Sequence, residues 1–470
     1  MLTFAILDII MKLYNSLTKQ KEEFTPISPG KVSMYHCGPT VYDYQHIGNL
    51  RAAMLGDFLR RVFEYNNNKV TQVMNITDVG HLVSDGDDGD DKMTKGLKKL
   101  GKEVTVPNML ELATMYADIF KNDLSALNIL IPHHMPRASE SIDGNIELIK
   151  MLEQKGLSYV ISDGVYFDIS KMPEYGKLGG LNLEDVGESR IGGNLEKRNQ
   201  ADFALWKFDD TQGWESPWGQ GFPGWHIECS TMSREILGDH FDVHTGGIDL
   251  ASIHHNNEIA QSTCATGSKF VNYWMHGEML NFSGAKLSKS TGGNITLKTL
   301  EEKGFTPLAY RYLAMQVHYR SKMEFTWKIL ESAQTGLNRI YQHIIELRSK
   351  SLGQKGSPNA AFVKSFKEKI NDDLNLPQGL AVMHEVLKSS LLPVDKLETL
   401  YNFDRVLGLG LKDYKEKSLE LPEEVSELLE QRTQARLDKN WGLSDSIRDK
   451  ISEMGYLVSD SEGEQKISKK

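Results

Sequence analysis

The first clear pattern along the chain is a strand that runs into a helix. Apolar side chains alternate over residues 31–37, with Val32 and Met34 on one face, which is the period of a β-strand. Beyond residue 46 the apolar positions recur at helical spacing, at Leu50, Met54, Phe58, Leu59 and Phe63. The pattern therefore predicts a strand, a tight turn and the start of a helix.

A second β-branched run follows at residues 70–76, and two strands joined by one helix within about 45 residues predict a parallel βαβ unit. Cys37 then lies at the carboxyl edge of the sheet, where α/β proteins bind ligands. His46 opens the helix, where free backbone N–H groups favour a phosphate, and Gly48 lets that phosphate approach. On this stretch alone, an ordinary turn with a buried cysteine and a capping histidine is an equally good interpretation.

The remaining patterns divide the chain into an α/β part and a helical part. Helices are predicted from residue 225 to about 237 and from residue 253 onward, with strands at 241–247 and 271–276. Further apolar stripes predict helices at residues 296–316, 325–349, 360–373, 377–390 and 396–407. A small terminal unit follows, with helices at 422–437 and 443–454, a strand at 456–460 and a lysine-rich tail at 464–470.

Composition narrows the class of protein. The net charge of −10 argues against a chain coated in basic residues but leaves room for a local nucleic-acid patch. Three cysteines are too few for a disulfide framework and indicate intracellular thiols or metal ligands. No apolar run approaches the roughly 20 residues that span a bilayer. We expect translation to start at Met11, or residues 1–10 to pack locally, and the acidic loop at 84–91 to be solvated rather than a metal site.

Two constellations carry candidate chemistry. Two thiols, an imidazole and a carboxylate can satisfy a tetrahedral Zn²⁺, and four such residues fall at strand ends or helix starts: Cys37, Cys229, His254 and Glu258. From spacing alone, four buried structural residues are the better interpretation, because only the last two are near neighbours. Lys286 and Lys289 lie on a Ser/Gly-containing loop and can reach a triphosphate from the side opposite His46; otherwise they belong to a solvated loop.

Several motifs resemble those of a known family. Lys286-Leu287-Ser288-Lys289-Ser290 resembles the KMSKS signature, and His46-Ile47-Gly48-Asn49 the HIGH signature, of class I aminoacyl-tRNA synthetases. Longer stretches at residues 35–43, 75–78, 223–230 and 254–262 resemble the cysteinyl-tRNA synthetases, and the likeness runs from about Met11 to the C-terminus. It implies an α/β fold with a Rossmann-type parallel-sheet catalytic domain and an inserted subdomain, then an α-helical bundle and a small anticodon-binding module. The implied catalytic domain spans residues 11–295 and contains the insertion at about 120–210. A helical stem then spans 296–345, a tRNA-binding bundle 346–415 and the anticodon module 416–470.

The resemblance also implies an activity and its partners. A cysteine–tRNA ligase activates L-cysteine with ATP and Mg²⁺ and transfers it to tRNA(Cys), and one Zn²⁺ per chain selects the substrate thiol. The implied zinc ligands are Cys37, Cys229, His254 and Glu258. The implied catalytic residues are His46, Asn49, Lys286 and Lys289, and the ATP site adds Gly48 and Ser288. The implied amino-acid pocket contains Gly38, Thr77, Trp225 and His244. We expect a cytoplasmic monomer without a membrane association.

The terminal module resembles one that binds the anticodon, and the implied contact residues are Arg436, Trp441, Asp445 and Asp460. The alternative is a small helical cap with Trp441 in its core. Asn49 departs from the family, because the fourth HIGH position is usually histidine, and Asn256 stands where the family usually has an acidic residue. Two other functions stay open. One is a cysteine-activating ligase for a small amine, although such paralogues lack the terminal module, and the other is a non-catalytic tRNA-binding protein.

Overall fold

The computed structural model describes residues 9–79, 92–180, 196–282, 295–415, 421–461 and 464–469. The chain forms two compact units, residues 1–412 and 413–470. The implied domain boundaries divide the chain more finely than these units and stay predictions. Within the described ranges, no helix combines the length and the apolar content that a bilayer crossing requires.

The larger unit alternates strands and helices in its first part and is helical in its second. In chain order the first part contains β1 (Lys12–Asn15), β2 (Gln20–Glu23), β3 (Lys31–His36), α1 (Ile47–Tyr65), β4 (Lys69–Met74), α2 (Lys92–Lys99), α3 (Val106–Ala126), α4 (Ile142–Gln154), β5 (Ser158–Ile161), β6 (Gly164–Phe167), β7 (Phe203–Phe208) and β8 (Gly221–Pro223). It continues with α5 (Trp225–Leu237), β9 (Phe241–Gly247), α6 (Ile248–Ala251), α7 (His254–Thr266), β10 (Val271–Gly277) and β11 (Leu280–Phe282).

The helical part of this unit and the smaller unit follow. The former contains α8 (Leu297–Glu302), α9 (Pro307–Met315), β12 (Met323–Phe325), α10 (Trp327–Lys350), α11 (Ala360–Ile370), α12 (Leu376–Lys388) and α13 (Pro393–Leu407). The smaller unit contains α14 (Glu423–Leu437), α15 (Trp441–Glu453), β13 (Tyr456–Ser461) and β14 (Glu464–Lys469).

A four-stranded parallel sheet forms the centre of the larger unit, with its strands in the order β10-β9-β3-β4. The predicted parallel βαβ unit is thereby confirmed, with α1 connecting β3 to β4. Side chains on both faces of β3 are buried, including Met34 and Tyr35, as expected for a parallel strand covered by helices. The carboxyl ends of β3 and β9 meet at one edge, where Cys37 N donates to Thr245 O at 3.1 Å.

A second sheet positions the helices beside that edge. It is antiparallel, in the order β5-β6-β7-β8. Its core is continuous with α4 and reaches Ile227 on α5 and Ala260 on α7. Because β8 leads directly into α5, the packing of this sheet fixes where α5 begins.

Two sequence predictions need correction. Residues 296–316 form two helices instead of one, because Gly304 adopts a left-handed φ of 84° and Pro307 starts the second helix. The lysine-rich tail contains a strand, because β14 pairs antiparallel with β13, with Val458 opposite Ile467.

A buried ion network joins α1 to the helical part. Asp57 accepts from Arg61 on the same helix at 2.9 Å and from Arg311 on α9 at 2.6 Å. Arg311 also donates to Leu407 O, at the end of α13, at 2.7 Å. The three side chains are nearly or wholly buried, so the network fixes α1 relative to α9 and α13.

Candidate active site and metal centre

The turn after β3 needs glycine at position 38. A Cβ on Gly38 would lie 1.8 Å from Asn75 O, which no side chain can tolerate. Gly38 N instead donates to Asn75 Oδ1 at 2.7 Å, and Asn75 Nδ2 donates to Thr77 Oγ1 at 3.1 Å. The end of β3 is therefore held tightly against the segment that follows β4.

His46 caps the N-terminus of α1. Its Nδ1 accepts from Asn49 N at 3.2 Å, and a Cβ on Gly48 would lie 2.9 Å from the same imidazole. Glycine at position 48 therefore leaves room for His46 itself as well as for a ligand. Burial lowers the pKa of His46, the charge of Lys92 lowers it further and Asp249 opposes both. The Asn49 side chain donates to Gln45 Oε1 at 2.6 Å.

The predicted lysine loop lies outside the described residues. Lys286, Ser288 and Lys289 belong to the gap at 283–294. The described chain resumes at Ile295, whose carbonyl accepts from Ile47 N at 2.8 Å.

The four predicted metal ligands come together. Their ligand atoms, one from each of Cys37, Cys229, His254 and Glu258, all lie within 4.8 Å of one another. Glu258 Oε1 is 3.6 Å from Cys37 Sγ and 3.0 Å from His254 Nε2. The sheet edge supplies Cys37, α5 supplies Cys229, and one face of α7 supplies His254 and Glu258.

Buried charges interact strongly within this cluster. A hydrogen bond with Cys37 lowers the pKa of Cys229 to about 6 against the opposing effect of burial. Burial alone would lower the pKa of His254, but hydrogen bonds with Cys229 and Glu258 raise it to about 10. Burial would raise the pKa of Glu258, but His244 and His254 lower it to about 2. The cluster therefore favours an ionised carboxylate and thiolate.

The donor set fits Zn²⁺. Bond lengths of about 2.3 Å to sulfur and 2.0 Å to nitrogen place tetrahedral ligands about 3.3–3.8 Å apart, close to the distances seen here. An overlapping set also converges, consisting of Cys37, His244, His255 and Glu258. In it, His255 Nε2 is 3.3 Å from Cys37 Sγ. Sequence reasoning missed His255, although it directly follows His254.

A cavity of about 380 Å³ extends from Cys37, one of the four cluster residues, to the start of α1. Six residues that the sequence analysis assigned to the site line this cavity: Cys37, Gly38, His46, Gly48, Asn49 and Trp225. The Trp225 ring lies 4.4 Å from the His254 ring. Lys92 and Asp249 also line the cavity, and sequence reasoning assigned neither a role. Asp249 could have been found, because it follows the glycine end of β9.

Two predicted pocket residues do not line the cavity. Thr77 and His244 are buried and do not belong to the described residues that line it. His244 Nε2 is 2.8 Å from Glu258 Oε2, and its ring stacks on Trp274 at 4.5 Å. His244 therefore supports Glu258, and its predicted contact with the amino acid stays a prediction.

The smaller unit brings three of its four predicted contact residues together. Arg436 Nη1 donates to Asp460 Oδ2 at 2.8 Å, and its guanidinium lies 5.8 Å from the Trp441 ring. The buried Arg432 also donates two hydrogen bonds of 2.9 Å to the Asp460 carboxylate. Trp441 is 57% exposed, so the alternative that places it in a core is wrong. Asp445 pairs with a different residue, Arg448, at 3.3 Å.

Comparisons with known proteins agree with this architecture. Residues 23–335 match the tRNA synthetases class I (C) catalytic domain, and residues 418–467 match the cysteinyl-tRNA ligase anticodon binding domain. A solved Mycobacterium tuberculosis methionyl-tRNA synthetase in complex with methionyl-adenylate has a similar fold, with a TM-score of 0.54 at 13% identity over 81% of this chain and 90% of its own. The fold and the catalytic-domain match define a class I aminoacyl-tRNA synthetase, which is a ligase.

Relatives narrow the class further. Cysteine--tRNA ligase 1 of Burkholderia lata is 44% identical over 468 residues, covering 97% of this chain and 96% of its own. Cysteine--tRNA ligase of Treponema denticola is 42% identical over 488 residues, covering 96% and 98%. The chain belongs to the cysteine–tRNA ligase family.

Proposed function

We propose that the protein attaches L-cysteine to tRNA(Cys) in two steps, as a cytoplasmic monomer. Cysteine and ATP first give cysteinyl-adenylate and pyrophosphate, and the 3′-terminal ribose of the tRNA then takes the cysteinyl group. The observation that carries this proposal is that two thiols, an imidazole and a carboxylate converge at one point, and that one of them, Cys37, lines the same cavity as the His46 turn. Family membership supports the overall reaction, and the geometry supports a thiol-selective pocket.

Cys37, Cys229, His254 and Glu258 would hold the metal. When bound, Zn²⁺ would act as a borderline-soft Lewis acid that binds a thiolate far better than a hydroxyl. Serine and cysteine differ by one atom, and an apolar pocket alone separates such isosteres poorly. His244 fixes the Glu258 carboxylate, and Trp225 forms a wall beside His254. These residues therefore orient the site that distinguishes the two amino acids.

Activation requires positioning more than covalent chemistry by the enzyme. A carboxylate oxygen of cysteine attacks the α-phosphorus of ATP, the bond to the bridging oxygen of the β-phosphate breaks, and pyrophosphate leaves. We assign His46, Gly48 and Asn49, which line the cavity at the start of α1, to the nucleotide, and Lys286, Ser288 and Lys289 to the same substrate. Magnesium accompanies the ATP phosphates. Catalysis is then electrostatic stabilisation of phosphoryl oxygens.

The smaller unit would bind the anticodon. The exposed Trp441 ring beside Arg436 offers a stacking surface, and Asp460 and Asp445 offer acceptors for base edges. The match of this region to an anticodon-binding domain supports the assignment. It also argues against a ligase that uses a small amine.

Cysteine-dependent ATP–pyrophosphate exchange and charging of tRNA(Cys) test the proposal. We expect Cys229→Ser to lower exchange by about 100-fold or more. Cys264→Ser is the matched control, because Cys264 is a free cysteine that belongs to neither donor set. This variant should keep normal exchange. Equal activity of the two variants would refute the assigned thiol site. Transfer to a small amine but not to tRNA would refute the assigned acceptor.

A further inference from the structure

Lys92 adds a cation to the cavity. It opens α2 and lines the same space as Cys37, His46 and Trp225. Its Nζ lies 5.4 Å from the centre of the Trp225 ring, which in turn lies 4.4 Å from the His254 ring. The ammonium group is therefore within about 10 Å of a candidate metal ligand.

The position of Lys92 is fixed by the packing of α2. A Cβ on Gly96 would lie 2.8 Å from Tyr42 O, so this helix rests directly on the turn that leads to His46. Met93 and Leu97 anchor the helix from its buried face. At its other end, Lys99 Nζ pairs with Asp43 Oδ2 at 2.7 Å. The buried face of α2 is therefore packed against the larger unit, and its first-turn side chain, Lys92, lies at the cavity.

The charge of Lys92 acts on the region where the two substrates meet. Burial lowers the pKa of His46, and the positive charge of Lys92 lowers it further, which places that charge near the proposed nucleotide site. A cysteine with its sulfur at the metal cluster and ATP at His46 must bring its carboxylate into the space between them. A carboxylate that approaches a polyphosphate is repelled, so a cation in this space favours the encounter.

We propose that Lys92 forms the carboxylate-binding site of the amino-acid pocket and holds the α-carboxylate of cysteine toward the α-phosphorus of ATP. The proposal rests on the proposed function. The ammonium donates a charge-assisted hydrogen bond to one carboxylate oxygen and keeps its protons throughout. The other oxygen forms the new bond to phosphorus as pyrophosphate leaves. Lys92 thereby discriminates among thiols, because it requires a carboxylate beside the sulfur.

The competing role is purely structural, in which Lys92 only packs on Trp225 and shapes the pocket wall. The two roles differ for cysteamine, which keeps the thiol and amine of cysteine and lacks the carboxylate. A carboxylate contact affects cysteine alone, whereas a misplaced Trp225 affects both ligands.

The test measures the binding of cysteine and cysteamine to the full-length, zinc-loaded protein by calorimetry. We expect Lys92→Met to weaken cysteine binding by about 10- to 100-fold, the usual effect of losing a hydrogen bond to a charged group, and to change cysteamine binding by less than about 3-fold. Lys95→Met, an exposed neighbour on the same helix, should leave both affinities unchanged. Lys92→Arg, which keeps the charge, should retain most of the cysteine affinity.

Equal losses for the two ligands, or unchanged cysteine binding, would overturn the proposal. A failure of Lys92→Arg to bind cysteine better than Lys92→Met would also overturn it. A wild-type protein that binds cysteine but does not support ATP–pyrophosphate exchange would instead contradict the proposed function, so the two failures are distinguishable.

Discussion

Asp123 lies half-buried on α3, where the charge of Glu301 on α8 disfavours its ionised form. Burial first, and then this charge, raise the pKa of Asp123 from 3.8 to about 6. A difference of about two pH units corresponds to about 3 kcal/mol, and water around the partly exposed carboxylate reduces this to about 1 kcal/mol. Since the folded protein binds the proton more tightly than the unfolded chain, the destabilisation is absent below about pH 4 and complete above about pH 6.

We therefore expect Asp123→Asn to stabilise the protein at pH 8 and to leave its stability unchanged at pH 4. About 1 kcal/mol corresponds to a rise in Tm of about 1 °C for a unit of this size, which thermal unfolding with replicate scans resolves. Glu301→Gln should produce part of the same gain. Asp118→Asn is the matched control, because Asp118 is exposed on the same helix and forms a long ion pair of 3.5 Å with Lys121. A gain of equal size at both pH values, or a loss at pH 8, would refute the reasoning.

Three further predictions concern the site and its supports. In Gly48→Ala, the new Cβ would clash with the His46 imidazole. The KM for ATP in pyrophosphate exchange should therefore rise about 10-fold, while cysteine binding stays normal. Unchanged ATP kinetics would count against the role of this turn. Asp57→Asn removes the shared partner of two buried arginines and should lower the free energy of unfolding in urea by about 3–5 kcal/mol; a smaller loss would mean that the network is not coupled. Trp441→Ala should raise the KM for tRNA(Cys) about 10-fold or more, because base stacking is lost. Cysteine activation and the Tm should stay unchanged. A lower Tm would contradict the exposed position of Trp441.

The sheet was predictable because its signals are local. A strand was predicted at residues 241–247, and β9 has the same bounds. The apolar stripe over residues 296–316 runs through both α8 and α9, so it concealed the break that Gly304 and Pro307 impose. The strand β14 is polar and exists through its pairing with β13, so no periodicity within it predicted a strand.

The site was predictable only in part. His46 and Gly48 indicate a helix N-terminus by their local pattern. Cys37 and Cys229 meet only through the fold, so their spacing gave a weak candidate set, and the resemblance was needed to favour a metal site. Lys92 was missed because its neighbours in sequence are acidic and glycine-rich, and its place in the cavity follows from how α2 packs on Tyr42. Tertiary packing, which single-sequence patterns do not contain, decides these contacts.

Selection of the cysteine thiol by bound zinc is the central claim, and its most direct test is amino-acid-dependent ATP–pyrophosphate exchange with and without the metal. We expect cysteine to support exchange at least about 10³-fold better than serine, because a bond made only by the thiol gives the larger discrimination that apolar contacts cannot. Removing zinc with a chelator should abolish the exchange, and adding zinc back should restore it. Exchange that persists without zinc, or that serine supports equally well, would contradict the claim.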